Sequence, residues 1–220
     1  MQKAIVQLDP YKTVPLNKFY PELQFEFVDL PTELFSFYIL RTARDMAERA
    51  QLIKRTLTIA IRPCVTRYYI DVPDGLALKS LMSLRHVPTG NVENGSREIP
   101  RFTGPPDNLS WASRASWLIP DEKVLVIVMP QAGGTVRAIV SAMPTTDACE
   151  LPAEYYDDYY AALIMGTRAS IMMLTNRPWT NLRVGGELYN QYTKLVENLG
   201  VVKQRNKQAG VIRMRHGRAL

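Results

Sequence analysis

Cysteine and histidine are scarce in this 220-residue chain, which contains only Cys64, Cys149, His86 and His216. The cysteines lack the spacing of a metal site, so we expect buried thiols in a reducing compartment rather than a disulfide. His86 lies in a strand-like stretch and is expected in the core or at a sheet edge, whereas His216 lies in a basic tail. The sequence therefore predicts neither a metal site nor a cofactor.

The motifs of common enzyme classes are also missing. The chain has no HExxH, no GxSxG, no Walker A loop and no GxGxxG. Asp157 and Asp158 are adjacent, but neighbouring residues on a helix point about 100° apart, so the two carboxylates do not converge as an acid–base pair. We interpret them as polar residues of a helix N-terminal turn, where acids suit the helix dipole. The sequence thus predicts a protein that is not an enzyme.

Long apolar runs are absent as well. No stretch of about 18 uninterrupted apolar residues occurs, so no membrane span is expected. The N-terminal segment MQKAIVQLDPYKTVP lacks the apolar core of a signal peptide, so export is not expected. Hydrophobic residues nevertheless make up 46% of the chain, which is enough for the buried core of one domain with or without extensions.

Acidic residues are absent from the end of the chain. Six bases and no acid follow Glu197, and these six account for the whole net charge of +6, because the chain has 27 bases and 21 acids in all. A basic tail of this kind favours contact with a partner surface or a polyanion, and a solvated, disordered end is the alternative. The six bases are Lys203, Arg205, Lys207, Arg213, Arg215 and Arg218.

The periodicity of the chain changes twice and predicts an α+β fold. Residues 1–30 contain three prolines and no helical period, so we expect an extended arm, after which Pro31 opens an amphipathic helix that ends near Ile53. From Thr56 to Met143 six short stretches have a period of two and are separated by turn residues. This pattern predicts an antiparallel β-sandwich or small barrel, with residues 88–112 as a long hairpin loop.

Helical periodicity returns at residues 152–174. This stretch is apolar on most sides, which is typical of a helix that is buried on most sides. It also carries small residues in one stripe, which would let another helix approach closely. The members of the stripe are Ala162, Gly166 and Ser170, and the break after the helix contains Pro178 and Trp179, of which Trp179 is expected to plug the turn.

The order of helix, strands and two further helices predicts one organisation. The three helices can meet as a bundle only if the strands are an insertion between the first helix and the second. We therefore predict a helical domain of residues 31–55 and 152–202 with an inserted β domain of residues 56–151. The extended arm 1–30 and the basic tail 203–220 flank it, and Gly185 and Gly186 mark either the first turn of the last helix or a hinge.

Four tyrosines stand within six residues at the start of the 152–174 helix. Tyrosines could stack on nucleic-acid bases, but pairs at this spacing are more typical of packing between helices or between subunits. The candidate packing residues are Tyr155, Tyr156, Tyr159, Tyr160, Gly166 and Trp179.

Three stretches together resemble the head-to-tail adaptor, or connector, proteins of tailed bacteriophages, in particular those of short-tailed phages. They are YPELQFEFVDLPTELFSFYILRTARDMAERAQLI, AMPTTDACELPAEYYDDYYAALIMGTRASIMML and NRPWTNLRVGGELYNQYTKLVENLGVVKQRNKQAG. The resemblance covers roughly residues 20–210 and lies in the order of the elements rather than in one diagnostic motif. Family members often have a plain helix start after the Pro-Trp break, whereas this chain has Gly185-Gly186.

The resemblance implies a structural role in a virion assembled in the host cytoplasm. Such adaptors form a ring, usually of twelve copies, beneath the portal; the ring extends the DNA channel and gives the tail nozzle a docking surface. The implied partners are other copies of the chain, the portal protein and a nozzle or tail-tube protein, while packaged DNA passes through without sequence-specific binding. We expect the tail to be disordered from about residue 203 in the free subunit and to dock on the portal. A tail-tube or head-completion protein and a DNA-binding protein are the alternatives.

Overall fold

The computed structural model of the chain describes residues 4–8, 10–62, 65–87, 97–101, 116–121, 124–128 and 134–209. The fold is mixed α+β, as the sequence predicts. The strands are β1 (Ala4–Gln7), β2 (Thr13–Pro15), β3 (Ile53–Ala60), β4 (Arg67–Asp71), β5 (Leu76–Val87), β6 (Arg97–Glu98), β7 (Ser116–Asp121), β8 (Val124–Val128), β9 (Thr135–Pro144) and β10 (Glu150–Pro152). The helices are α1 (Tyr20–Glu26), α2 (Thr32–Ala50), α3 (Glu154–Asp157), α4 (Tyr160–Met172) and α5 (Leu182–Ala209).

The strands form two four-stranded sheets and one short pair. The order is β1-β4-β8-β7 in one sheet and β3-β9-β5-β6 in the other, and β10 pairs with β2. The six predicted strands correspond to β3, β4, β5, β7, β8 and β9, which pair antiparallel to one another. β1 was expected in the extended arm but pairs parallel to β4, with Ala4 opposite Tyr68. The antiparallel pairing predicted between Thr56 and Met143 is therefore confirmed for the six strands, and the parallel pair arises from a strand that precedes this range.

Both four-stranded sheets contribute side chains to one apolar cluster, which we call the sheet-side core. Burial alternates along β3, as expected when one face of a strand points to a core. The members of the sheet-side core are Val6, Leu8, Leu57, Ile59, Tyr68, Ile70, Leu84, Ile99, Trp117, Leu125, Ile127, Val136, Ala138 and Val140.

The helices α2, α4 and α5 contact one another around a second cluster, which we call the helix-side core. α2 buries side chains at steps of three and four, as its sequence predicts. It ends at Ala50 rather than near Ile53, because Gln51 adopts the left-handed conformation (φ 48°) and β3 begins two residues later. Large members of this core include Phe19, Leu23, Phe27, Phe35, Ile39, Met46, Tyr155, Leu163 and Tyr192.

The first 30 residues are not an extended arm throughout. A 3-10 turn (Leu16–Phe19) leads directly into α1, and both elements deliver buried side chains to the helix-side core. Pro21 fits in the first turn of α1 because the N–H groups there have no partner within the helix. The sequence does contain a sign of this helix, since apolar residues recur at steps of three or four from Leu16 to Leu30.

The predicted helix over residues 152–174 is interrupted. Pro152 is the last residue of β10, α3 ends at Asp157, and α4 begins only at Tyr160. Asp157 lies in the first turn of α3, as the sequence predicts, whereas Asp158 lies at the break before α4, and both side chains are exposed.

The last helix is longer than predicted. α5 begins at Leu182, and the side-chain oxygen of Asn181 caps it by accepting a hydrogen bond from the Val184 N–H (3.1 Å). Gly185 and Gly186 lie near its start, and the helix continues through both of them without a hinge. It continues to Ala209, so the predicted disorder from residue 203 is wrong for residues 203–209. Residues 210–220 lie outside the described residues.

The predicted hairpin loop 88–112 lies mostly outside the described residues, but residues 97–101 within it pack against the rest of the fold. β6 pairs with β5, with Arg97 opposite the half-buried His86. Ile99 is 3% exposed, and its N–H donates to the carbonyl oxygen of Leu84 (2.9 Å). The prediction of a surface loop is therefore wrong for this segment, which supplies part of the sheet-side core.

Candidate subunit-interaction surface

The tyrosines Tyr155 and Tyr159 pack inside the chain. The Tyr155 ring is fully buried, and its hydroxyl donates to the Ala43 carbonyl oxygen of α2 (2.7 Å). Burial raises the pKa of the Tyr155 hydroxyl, and it raises the pKa of Tyr159 as well. The centroids of the two rings are 6.4 Å apart. The Tyr155 hydrogen bond therefore joins α3 to α2, and Tyr159, which immediately precedes α4, packs on Tyr155.

Tyr156 and Tyr160 face the N-terminal segment instead. The ring of Phe19 lies 5.5 Å from that of Tyr156 and 5.9 Å from that of Tyr160, measured between centroids. Tyr160 is half-buried, whereas Tyr156 remains 41% exposed. Three of the four tyrosines are thus largely occupied within the chain, and only the Tyr156 ring is substantially exposed for a neighbour.

Gly166 lies where α2 and α5 come closest to α4. A Cβ atom at this position would stand 2.7 Å from Cγ2 of Thr42 and 2.7 Å from Cε2 of Tyr192. Since real Cβ contacts are longer, no larger residue fits without displacing a neighbour. This is the close approach that the stripe of small residues predicts.

A polar network surrounds this contact. The buried Tyr192 hydroxyl donates to Oδ2 of Asp45 (2.7 Å), and the guanidinium of Arg49 bonds both Oδ1 of Asp45 (2.9 Å) and the Tyr189 hydroxyl (3.1 Å). Burial, and then the hydrogen bond to Asp45, raise the pKa of Tyr192. Asp45, Tyr189 and Tyr192 border a cavity of about 360 Å³ between α2, α4 and α5, but their polar groups are bonded within the network. The network therefore joins α2 to α5 and offers no obvious catalytic pair.

Arg55 links the sheets to the helices, and sequence analysis did not find it. Its nearly buried guanidinium forms two bonds with the carboxylate of Glu154, at 2.5 and 3.1 Å, and stacks 4.7 Å from the ring centroid of Tyr11. Three distant parts of the chain, β3, α3 and the segment after β1, meet at this ion pair. A separation of 99 residues between Arg55 and Glu154 explains why no local pattern could indicate it.

Trp179 lies in the turn between α4 and α5. Its ring is half-buried and packs against the helix-side core, while the turn is closed by Thr180, whose hydroxyl donates to the Leu174 carbonyl oxygen and accepts from the Arg177 N–H. Trp179 therefore contributes to packing within the chain.

Large apolar side chains are exposed in the last turn of α1 and in the turn that follows it. Phe25 is 93% exposed and Val28 is 81% exposed, and we call this pair the apolar corner. Exposed acidic residues, Asp29 and Glu33, follow it in the chain. Isolated apolar residues are common on protein surfaces, but an almost fully exposed phenylalanine beside an exposed valine is typical of a contact site.

A shallow apolar groove runs beside α2. It consists of two depressions, of about 390 and 480 Å³, which share Leu40 and Thr146. Cys149, which the sequence predicts to be buried, is an exposed free thiol at the rim because the loop before β10 runs over the surface. We call this feature the α2 groove; its apolar walls include Leu16, Tyr20, Phe37, Leu40 and Ala148.

The basic tail is only partly described. Lys203, Arg205 and Lys207 lie in the last turns of α5, after Gly200, where α5 still approaches α2: a Cβ atom there would be 3.6 Å from the Cα of Ala50. The other three bases, Arg213, Arg215 and Arg218, lie outside the described residues. The structure thus places three of the six bases on one helix end.

The described ranges contain no group of three or more His, Cys, Asp or Glu side chains that could hold a metal ion. Within the same ranges, no helix has both the length and the apolar character needed to cross a membrane. No protein-family model and no curated protein sequence matches the chain.

Proposed function

We propose that the chain is a structural subunit of a phage particle, a head-to-tail adaptor that assembles into a ring beneath the portal. The observation that carries the proposal is the apolar corner, with Phe25 at 93% and Val28 at 81% exposure. A soluble monomer gains nothing from such a surface, whereas a subunit held between two copies of itself would bury it. The resemblance of the sequence to adaptors supplies the identity of the assembly.

In this proposal the two parts of the fold have separate tasks. The helices α2, α4 and α5 act as a three-helix bundle that forms the body of the ring and meets the portal. The two sheets, whose side chains share one core, act as a β-sandwich inserted after α2, and this part receives the tail nozzle or tail-tube protein. Packaged DNA passes through the lumen without sequence-specific contacts, and the protein is not an enzyme. Its location is the virion, after assembly in the host cytoplasm.

The end of α5 and the basic tail would dock on the portal. Bases mixed with apolar residues, such as Val211 and Ile212, suit a groove with acidic edges on a protein. Exposed ion pairs contribute little singly, about 0–1 kcal/mol each, so single substitutions at Lys203 or Arg205 should be mild and a truncation severe. A chain ended at Gln204 should lose complex formation with the portal. Equal binding by the truncated and full chains would make the tail a solvated or DNA-facing extension.

Electron microscopy of the purified protein, alone and mixed with the portal protein, tests the proposal directly. We expect a ring stacked coaxially on the portal, and the resemblance to adaptors implies twelve copies in it. A complex with the portal in which single copies bind without contact between them would contradict the ring.

Two other functions make different predictions. A tail-tube or head-completion protein would occupy another position in the particle and have another copy number, which labelling of Cys149 within the virion would reveal. A DNA-binding protein using the basic tail would bind free DNA tightly, with an affinity that falls steeply with salt because several phosphate contacts release counterions. An adaptor should bind free DNA weakly at most.

A further inference from the structure

We propose that the apolar corner of one copy docks into the α2 groove of a second copy. The inference rests on the proposed function in taking another copy of this chain as the occupant. It assigns a specific contact to Phe25 and Val28, which the fold leaves exposed, and to the groove beside Leu40, which the fold leaves open.

The first support is the match in chemical character. The walls of the groove are mostly apolar, with Phe37 standing 55% exposed on one side. An exposed phenylalanine at the end of α1 and an exposed valine in the turn after it fit a shallow apolar depression, and their burial would remove apolar surface from water on both partners. Aromatic side chains in apolar pockets are also the residues that most often dominate interface energies.

The second support is the distribution of charge. The corner is followed by exposed Asp29 and Glu33, and the depression that contains Phe37 also carries the exposed Arg41. Arg44 borders the same depression, and its guanidinium keeps its positive charge while it donates to the neutral Pro144 carbonyl oxygen (2.8 Å). The acidic residues of this depression already have partners, because Asp45 bonds Arg49 and Glu48 lies 3.8 Å from Lys79. An acidic rim on the corner would therefore meet a basic rim on the groove, which orients the contact.

The two surfaces consist of different residues, which determines what assembly can form. When the corner of one copy occupies the groove of the next, each end of the pair retains one unused corner or groove. Copies joined by such a heterologous contact add one after another, and the assembly either closes into a ring or grows as an open filament. A two-fold contact, in which both corners and both grooves are used at once, would instead stop at a dimer.

The test uses two variants that each disable one surface. The corner variant carries Phe25→Ser and Val28→Ser, and the groove variant carries Phe37→Ser and Arg41→Glu. All four side chains are exposed, so both variants should retain the wild-type circular dichroism spectrum and unfolding midpoint within experimental error. Ile5→Ser, at a 71% exposed apolar position on β1, is the matched control.

The measurement is sedimentation over a concentration series up to roughly 1 mM, which detects association with a dissociation constant as weak as about 1 mM. We expect the wild type and Ile5→Ser to assemble alike, and each double variant to need at least about tenfold more protein. Mixing the corner variant with the groove variant should yield dimers and nothing larger, because one usable contact remains per pair.

The outcomes separate this contact from the proposed function. Rings that persist in the corner variant would overturn the contact and leave the adaptor ring intact. If the wild type forms a dimer and nothing larger, and if neither variant forms that dimer, the result would support the contact and overturn the ring. A wild type that remains monomeric over the whole series, or a mixture that gives no dimer, would overturn the contact.

Discussion

The helices around the helix-side core and the strands around the sheet-side core are held together by different interactions. In the helix-side core, residues far apart in sequence are joined by hydrogen bonds, such as that from the Tyr155 hydroxyl to the Ala43 carbonyl oxygen. At Gly166 the neighbouring helices pack so closely that there is no space for a side chain. In the sheet-side core, backbone ladders between strands set the register, and apolar side chains fill the space. The helix-side core should therefore be sensitive to added atoms, and the sheet-side core to removed ones.

The largest effect is expected from Ile99→Ala in the sheet-side core. Ile99 is fixed by its N–H bond to Leu84 and by the Trp117 Nε1–H, which donates to its carbonyl oxygen (2.8 Å), so its surroundings cannot readily collapse into the gap. We expect the free energy of unfolding to fall by about 2–5 kcal/mol, measured by urea denaturation. Ile5→Ala, at an exposed position, is the control and should be nearly neutral. A loss below about 1 kcal/mol would mean that Ile99 does not belong to this core.

Gly166→Leu should break the helix-side core by added volume. The new side chain would collide with Thr42 and Tyr192, and overpacking of this kind typically costs about 1–3 kcal/mol. Thermal unfolding is the measurement, and Gly186→Leu is the control because a Cβ at Gly186 meets nothing within 4 Å. An unchanged melting temperature for Gly166→Leu would show that α4 is not packed against α2 and α5 at this point.

Long elements with a full period could be predicted from the sequence, and short ones could not. α2 and the six central strands repeat their pattern often enough to be identified. β1, β6 and α3 are two to four residues long and exist because distant partners complete them. The interruption at Asp158 could not be predicted either, because an apolar stretch indicates that a segment is buried but not whether its helix is continuous.

The candidate surface was beyond sequence reasoning for a physical reason. The α2 groove is assembled from three separate segments, so no local pattern indicates it. Phe25 and Val28 look like core residues until the buried positions Leu23 and Phe27 show which face of the segment is inside. The tyrosines were identified as packing residues, but helical spacing alone did not indicate which pair lies towards α2.

Tyr155→Phe should have a smaller effect that depends on pH. Loss of the hydrogen bond to Ala43 should cost about 0.5–1.5 kcal/mol at pH 7. Burial raises the pKa of Tyr155, so above pH 10 the unfolded chain loses this proton while the folded chain keeps it, and stability falls as pH rises. The phenylalanine variant removes one such group and should lose stability less steeply, by up to about 1.4 kcal/mol per pH unit.

Urea midpoints from pH 7 to 11 measure this difference. Tyr156→Phe, at the exposed ring of the same segment, is the control and should be nearly neutral at pH 7. Parallel pH curves for the wild type and Tyr155→Phe above pH 10 would contradict the burial of the Tyr155 hydroxyl.

The smallest effect, and the only gain, is expected from Gly186→Ala. Both Gly166 and Gly186 lie inside helices, where glycine is less favourable than alanine by about 0.8–1 kcal/mol because it has more backbone freedom to lose. At Gly186 the added methyl group meets nothing within 4 Å, so the helical preference should appear undiminished as a gain of about 0.5–1 kcal/mol. At Gly166 the same methyl group meets Thr42 and Tyr192, so Gly166→Ala should destabilise the protein. Gly185 is intermediate, since a Cβ there would lie 3.0 Å from Cγ of Met173 and 3.3 Å from the Ala169 carbonyl oxygen, which is close but not as close as at Gly166, and Gly185→Ala should lie between the two. Thermal melts of the three variants measure the series, and a loss of stability in Gly186→Ala would show that α5 is not a regular helix through this point.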